Sequence, residues 1–147
     1  MKDKQGYTPL HRAVTEGQKG CVESLVKRDP RTLWSKDLIR QTPIHLAAKY
    51  GKKDSLEVML GYPEGVTESY CTAENGNTPL HMAAENGHED CVEVLVRDSI
   101  LDDDGYSTSP VDVKNTNRFY PIHLAAMNGH TKCVEILATT AAIPAYR

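Results

Sequence analysis

Apolar positions along this chain recur in two alternating patterns. One short segment carries Leu46, Met82 or Leu124, each followed by a small pair, Ala47-Ala48, Ala83-Ala84 or Ala125-Ala126. A second segment carries Cys21, Val22, Leu25 and Val26, then Ser55, Leu56, Met59 and Leu60, then Cys91, Val92, Leu95 and Val96, and last Cys133, Val134 and Leu137. Offsets of one, four and five residues trace a single stripe on a helix. The pattern predicts paired helices, a short one whose alanines admit a close neighbour and an amphipathic one behind it.

The polar punctuation has the same period. Thr8-Pro9-Leu10-His11 returns as Thr42-Pro43-Ile44-His45, Thr78-Pro79-Leu80-His81 and Tyr120-Pro121-Ile122-His123. The starts at 8, 42, 78 and 120 are spaced by 34, 36 and 42 residues. Gly17, Gly51, Gly87 and Gly129 stand nine positions after each start, and Glu23, Glu57, Glu93 and Glu135 fifteen after it. A threonine hydroxyl can accept a free N–H at a helix start, and proline at the first helical position loses no bond. The glycine suits the left-handed residue after a helix end. Each histidine has two ring nitrogens, enough to bridge the threonine of its own turn and a main-chain group of a neighbouring unit. A repeat of this length marks a solenoid, in which each unit covers the apolar face of the next.

The pattern T-P-L-H-x-A-A-x-x-G-H-x-x-x-V-x-x-L resembles the ankyrin repeat, most closely over Thr78 to Val96. The resemblance implies an all-α solenoid of stacked helix-turn-helix units with β-turn or hairpin fingers. It also implies recognition of protein partners through the fingers and inner helices. Residues 1–147 then form a single domain with units at about 3–36, 37–72, 73–114 and 115–147, the third carrying an inserted loop over 99–114. The turn glycine of the family is present as Gly6 and Gly76, but Arg40 and Arg118 replace it in the other two fingers, which puts the tight turn in question there. Tyr120 replaces the capping threonine, and this should weaken its helix start by ~1 kcal/mol.

The net charge of −3 is too small to suggest nucleic acid, but it is unevenly spread: +4 over residues 1–36, −1 over 37–72, −8 over 73–114 and +2 over 115–147. The acidic third unit could steer a basic partner or form a solvated face. No signal peptide or membrane span is recognisable, so no direct membrane contact is expected. Cys21, Cys91 and Cys133 share one repeat position and read as core packing, while Cys71 stands outside the pattern as the more reactive thiol. No C-x-x-C spacing occurs, and free buried thiols suit a reducing, cytoplasmic setting.

The remaining chemistry is sparse. His88 with Cys91 and His130 with Cys133 have an i, i+3 spacing but lack further metal ligands. An EF-hand series ending at Asp104-Gly105 fails at Ile100 and Val111. No phosphate loop, nucleophile elbow or H-E-x-x-H occurs. The expectation is therefore no enzyme, no cofactor and no metal.

Carried onto this chain, the family's variable positions predict partner contacts at Tyr7, Leu38, Ile39, Asn75, Asn77 and Phe119 on the fingers. On the inner helices they predict Lys49, Tyr50, Glu85, Asn86, Met127 and Asn128. The structural set is Thr8, Pro9, His11 and Gly17; Thr42, Pro43, His45 and Gly51; Thr78, Pro79, His81 and Gly87; and Pro121, His123 and Gly129. The expected function is a non-catalytic protein-interaction module, monomeric as an isolated segment, with a protein or peptide on the concave and finger surface. Two alternatives are a cytoplasmic ankyrin region of a membrane channel and a ligand- or cation-responsive module acting through the 99–114 loop. Polar Arg12 and Thr15 partly cap the first unit, whereas Ile136, Leu137 and Ala138 leave the last apolar, so the array is expected to continue in a larger protein.

Overall fold

The computed structural model describes residues 2–62, 72–73, 75–99 and 113–142. The 99–114 segment expected to form an inserted loop lies almost wholly outside this set, as does Cys71. Eight α-helices are described: α1 (Pro9–Thr15), α2 (Lys19–Arg28), α3 (Pro43–Tyr50), α4 (Lys53–Leu60), α5 (Pro79–Glu85), α6 (Glu89–Ser99), α7 (Pro121–Met127) and α8 (Thr131–Ala142). A 3-10 helix spans Pro30–Trp34, and no strand occurs among the described residues. Within each unit the two helices pack on each other, and across units α1, α3, α5 and α7 form an inner row while α2, α4, α6 and α8 form an outer row. The fold is the all-α solenoid of stacked units.

One local device starts the first three inner helices. Thr8, Thr42 and Thr78 lie in extended backbone and accept the N–H of His11, His45 and His81, while each histidine Nδ1 accepts the threonine's own N–H at 3.0, 3.2 and 3.1 Å. This is a capping box with histidine where glutamate is usual. Because Nδ1 accepts, the proton of the neutral ring sits on Nε2. That Nε2–H reaches the next unit, donating to the carbonyls of Gln41 at 3.0 Å, Asn77 at 3.2 Å and Phe119 at 2.9 Å. His11, His45 and His81 are fully buried, whereas His123 in the last unit is exposed. Tyr120 offers no side-chain cap; its N–H still bonds His123 Nδ1 at 2.9 Å, and its ring stacks on the imidazole.

A second pair of histidines ties the stack in the opposite direction. His88 and His130 begin the turns into α6 and α8, and their Nε2–H groups donate at 2.9 Å to the carbonyls of Lys49 and Glu85 in the preceding unit. Carbonyls in a last helical turn lack intrahelical partners, so these bonds satisfy groups that would otherwise need water. The rings lie directly over Gly51 and Gly87, where a Cβ would come within 2.6 Å of Nδ1. At Gly129 a Cβ would meet nothing within 4 Å, although its backbone is equally left-handed.

The core runs unbroken between the two rows, through Val14, Val22, Leu33, Ile44, Leu46, Leu56, Leu80, Val92 and Leu137. Ala47, Ala48, Ala83 and Ala84 are fully buried and let α1, α3 and α5 approach closely. The expectation for the cysteines needs one correction. Cys91 and Cys133 are buried, but Cys21 is exposed, because no preceding outer helix covers α2 as α2 covers α4. Burial pushes the Cys91 thiol up to about 12, which keeps it protonated and unreactive at neutral pH. A second correction concerns the fingers: Arg40 and Arg118 adopt φ of 65° and 68° and keep the tight turn that the glycines make, since their N–H groups bond Asp37 and Asn115 carbonyls just as Gly6 bonds Asp3.

Two outcomes follow for stability. Gly87→Ala and Gly129→Ala share the left-handed penalty, but only the first meets a histidine ring; urea denaturation should show Gly87→Ala costing about 1 kcal/mol more. Burial holds His11 and His81 below the ordinary value of about 6.5, so the unfolded chain binds protons that the folded chain refuses. Their contribution to stability is complete above pH ~6.5 and is lost as pH falls through that value toward the lower folded one. Thermal melts from pH 7.5 to 5.0 should therefore shift downward below about 6.5, and less so in a His81→Asn variant.

Candidate functional site

The fingers owe their shape to a feature that repeat counting overlooks. Five residues before each tetrapeptide stand Asp3, Asp37, Ala73 and Asn115. Asp3 Oδ1 accepts the N–H groups of Gln5 and Tyr7, Asp37 Oδ1 those of Ile39 and Gln41, and Asn115 Oδ1 those of Asn117 and Phe119, all at 2.8–3.0 Å. Such short polar side chains mimic a backbone turn. At the third finger, where Ala73 cannot do this, Asn75 Oδ1 takes the Asn77 N–H at 3.1 Å. Neighbouring fingers join through Leu38 N–H to Gln5 O and Thr116 N–H to Asn75 O, both 3.1 Å. An aspartate or asparagine at a fixed distance before the helix is the signal that could have disclosed these turns.

Between the second and third fingers and the inner helices α3 and α5 lies a cleft of about 260 Å³. Six of the twelve predicted contact residues line it: Ile39, Lys49, Asn75, Asn77, Glu85 and Asn86. Gln41, Ala73 and Met82 complete it. Sequence reasoning did not assign Met82 here, because its place in the repeat marks it as core. Tyr50 and Met127 are exposed on the inner row at 44% and 64%, and Leu38 at the second finger tip reaches 73%. Phe119 is half-buried and tilts against His123, and Asn128 is exposed.

Several predicted contacts turn out to be committed inside the molecule. Asn77 is buried, and its Oδ1 accepts from Asn115 Nδ2 at 2.9 Å, so it does not belong to an exposed band. The residues before Thr42 and Thr78 turn inward because their carbonyls meet the histidine of the preceding unit; Gln41 is buried for the same reason as Asn77 and bonds Asp37 Oδ2. Tyr7 is half-buried, stacked on His11 with ring centroids 5.4 Å apart and covered by the Arg12 guanidinium at 5.0 Å. Arg12 also bonds Asp3, and that bond above all lowers the Asp3 carboxyl. Asn86 and Asn128 each donate an amide N–H to a carbonyl of the last helical turn, Met82 and Leu124, at 2.8 and 2.9 Å. Trp34, 47% exposed at the end of the 3-10 helix, went unassigned; it is the chain's lone tryptophan and lies between two repeats.

The acidic third unit divides between two surfaces. Of its described carboxylates, Glu85 lines the cleft from the inner helix, whereas Glu89, Asp90 and Glu93 belong to the outer helix α6. Asp102, Asp103 and Asp104 lie outside the described residues. No described group of three acidic, histidine or cysteine side chains could hold a metal ion, and no described helix is long and apolar enough to cross a membrane.

Comparison with known proteins agrees with this geometry. A family model described as Ankyrin repeats (3 copies) matches residues 32–104, and one described as Ankyrin repeat matches residues 5–32 and 117–144. Alpha-latrotoxin-Lh1a of Latrodectus hasselti is 37% identical over 62 residues, 42% of this chain and 5% of that protein. Ankyrin repeat and SOCS box protein 2 of Homo sapiens is 36% identical over 58 residues, 40% of this chain and 9% of that protein. Transient receptor potential cation channel subfamily A member 1 of Homo sapiens is 30% identical over 87 residues, 52% of this chain and 8% of that protein. The matched stretch thus spans less than a tenth of each of these relatives.

The division between committed and free residues is open to measurement. Asn77→Ala strands the Asn115 amide and should cost about 1–2 kcal/mol in chemical denaturation. Tyr50→Ala and Met127→Ala remove exposed side chains and should stay within about 0.5 kcal/mol of the parent.

Proposed function

The chain belongs to the ankyrin repeat family, and on that premise we propose that it is a non-catalytic scaffold that holds a protein or peptide on its concave face. Ankyrin repeats are protein-interaction modules in general; the particular surface is our inference. One observation carries it. Ile39, Lys49, Glu85 and Asn86, drawn from two units, converge on one cleft flanked by exposed Leu38 and Tyr50. Exposed aliphatic and aromatic side chains beside a concavity are where binding energy concentrates. Residues 1–147 are taken as one binding domain, monomeric when isolated and working in a reducing, cytoplasmic setting that suits the buried free thiols Cys91 and Cys133.

A second reading is favoured by the likeness to the human channel and by a further one, Transient receptor potential cation channel subfamily A member 1 homolog of Caenorhabditis elegans, 42% identical over 53 residues. There the array would be a cytoplasmic region of a channel and its cleft an intramolecular contact. The sequence on either side of the array in its parent gene separates the two at once.

Affinity capture tests the scaffold. A protein retained by the wild-type chain should be lost, by at least about tenfold, from an Ile39→Ser/Tyr50→Ala double variant with an unchanged melting temperature. Full retention by that variant would remove the concave face from the proposal.

A further inference from the structure

The lining of the cleft is balanced, with Lys49 against Glu85, but the flank that faces the first two units carries a charge that the whole molecule does not. The chain is net −3, yet Lys2, Lys4, Lys36, Arg40 and Lys49, on the first two fingers and α3, are paired with no carboxylate among the described residues. The described ion pairs are Arg12–Asp3 and Arg31–Asp29. Of the carboxylates next to this basic group in sequence, Asp3 is held by Arg12, and Asp37 is buried with its oxygens occupied by Ile39, Gln41 and the Gln41 amide. Glu16 lies in a separate depression against Lys52 and Lys53. Lys2 Nζ donates to the Lys36 carbonyl at 3.0 Å and Lys49 Nζ lies 5.5 Å from the Tyr50 ring centroid, contacts that leave the charge of the set unopposed. A set of one sign with no opposing charge beside it attracts the opposite sign and speeds its arrival.

The lining of the cleft specifies the rest of the ligand. Ile39, Ala73 and Met82 supply an apolar bed. Around it, four amides each spend one atom inside the protein, Asn77 by accepting at Oδ1 from Asn115. Asn75 uses Oδ1 on the Asn77 N–H and keeps its Nδ2 donors. Gln41 uses Nε2 on Asp37, and Asn86 uses Nδ2 on the Met82 carbonyl, so both keep an acceptor oxygen. Donor and acceptor amides together suit the alternating C=O and N–H of an extended peptide. Lys49 and Glu85 line the cleft from different units, α3 and α5, which gives the site a direction.

Resting on the scaffold reading above, we propose that the cleft between the second and third fingers binds an extended acidic peptide. An aliphatic side chain enters between Ile39 and Met82, and acidic residues on the flank facing the first two units lie against Lys49 and Arg40. The flank facing Glu85 is neutral or basic. A concave cleft walled by amides fits a chain one residue wide; a lipid surface cannot enter it.

A random peptide library of about a dozen residues, displayed on phage and selected on the whole chain, tests this, because no occupant has to be assumed. Enriched peptides are synthesised and titrated by fluorescence anisotropy against the wild type, Ile39→Ser and Lys49→Glu, at low and high salt. The expected peptides pair an aliphatic or methionine residue with neighbouring aspartate or glutamate. Each substitution should weaken them about tenfold, and the Lys49→Glu effect should shrink as salt is raised. Both side chains are exposed or half-exposed, so the variants keep the wild-type melting temperature. Peptides that depend on Ile39 but are neutral or basic and indifferent to Lys49→Glu overturn the acidic ligand and leave the scaffold standing. Peptides indifferent to both substitutions overturn the two together. Binding to phosphatidylserine vesicles with no peptide enriched also overturns it.

Discussion

A single imidazole ring does two jobs in each of the first three units, and the stack depends on both being done at once. Nδ1 accepts the N–H of the residue that opens the helix, and Nε2–H donates to a carbonyl of the next finger. The first bond sets the tautomer that makes the second possible. Local helix initiation and long-range stacking are thereby coupled through one buried ring. Losing the local bond would leave a buried nitrogen unsatisfied and remove the bridge, a far larger cost than that of a surface cap.

The recurrence of this device puts the inner helices in one row, and the site is a consequence of that row. Two consecutive fingers, held by Asp37 and Asn75, stand beside two consecutive helices and leave a cleft that neither unit could make alone. His88 and His130 brace the same helices from the other end, through the carbonyls of Lys49 and Glu85. Those two residues are bonded to the stack by their backbones while their side chains line the cleft. Rigid backbone with free side chains is a favourable condition for binding, since little ordering is left to be done.

Much of this was legible in the sequence because repetition exposes structural residues directly. The caps, the left-handed glycines and the amphipathic stripes have fixed spacings, and the family resemblance supplied the stacking. Legibility failed where a residue's role depends on which neighbour it has. Cys21 shares a repeat position with buried Cys91 but lacks an outer helix before it. Arg40 and Arg118 look like turn breakers, yet an aspartate or asparagine three residues earlier holds the turn against their left-handed strain. Asn77 stands at a variable position and is nevertheless buried, because its carbonyl must meet His45. The cleft residues were half legible: Ile39, Lys49, Glu85 and Asn86 follow from position, whereas Met82 reads only as core.

The ring tautomers offer the most direct test of the central coupling. A long-range proton–nitrogen correlation spectrum of the nitrogen-15-labelled chain reports which imidazole nitrogen carries hydrogen. The structure requires His11, His45 and His81 all in the Nε2–H form, with those protons protected from exchange, and His123 in the same form but exchanging freely. Mixed tautomers, or unprotected Nε2–H protons in the first three rings, would show that the histidines do not join one unit to the next.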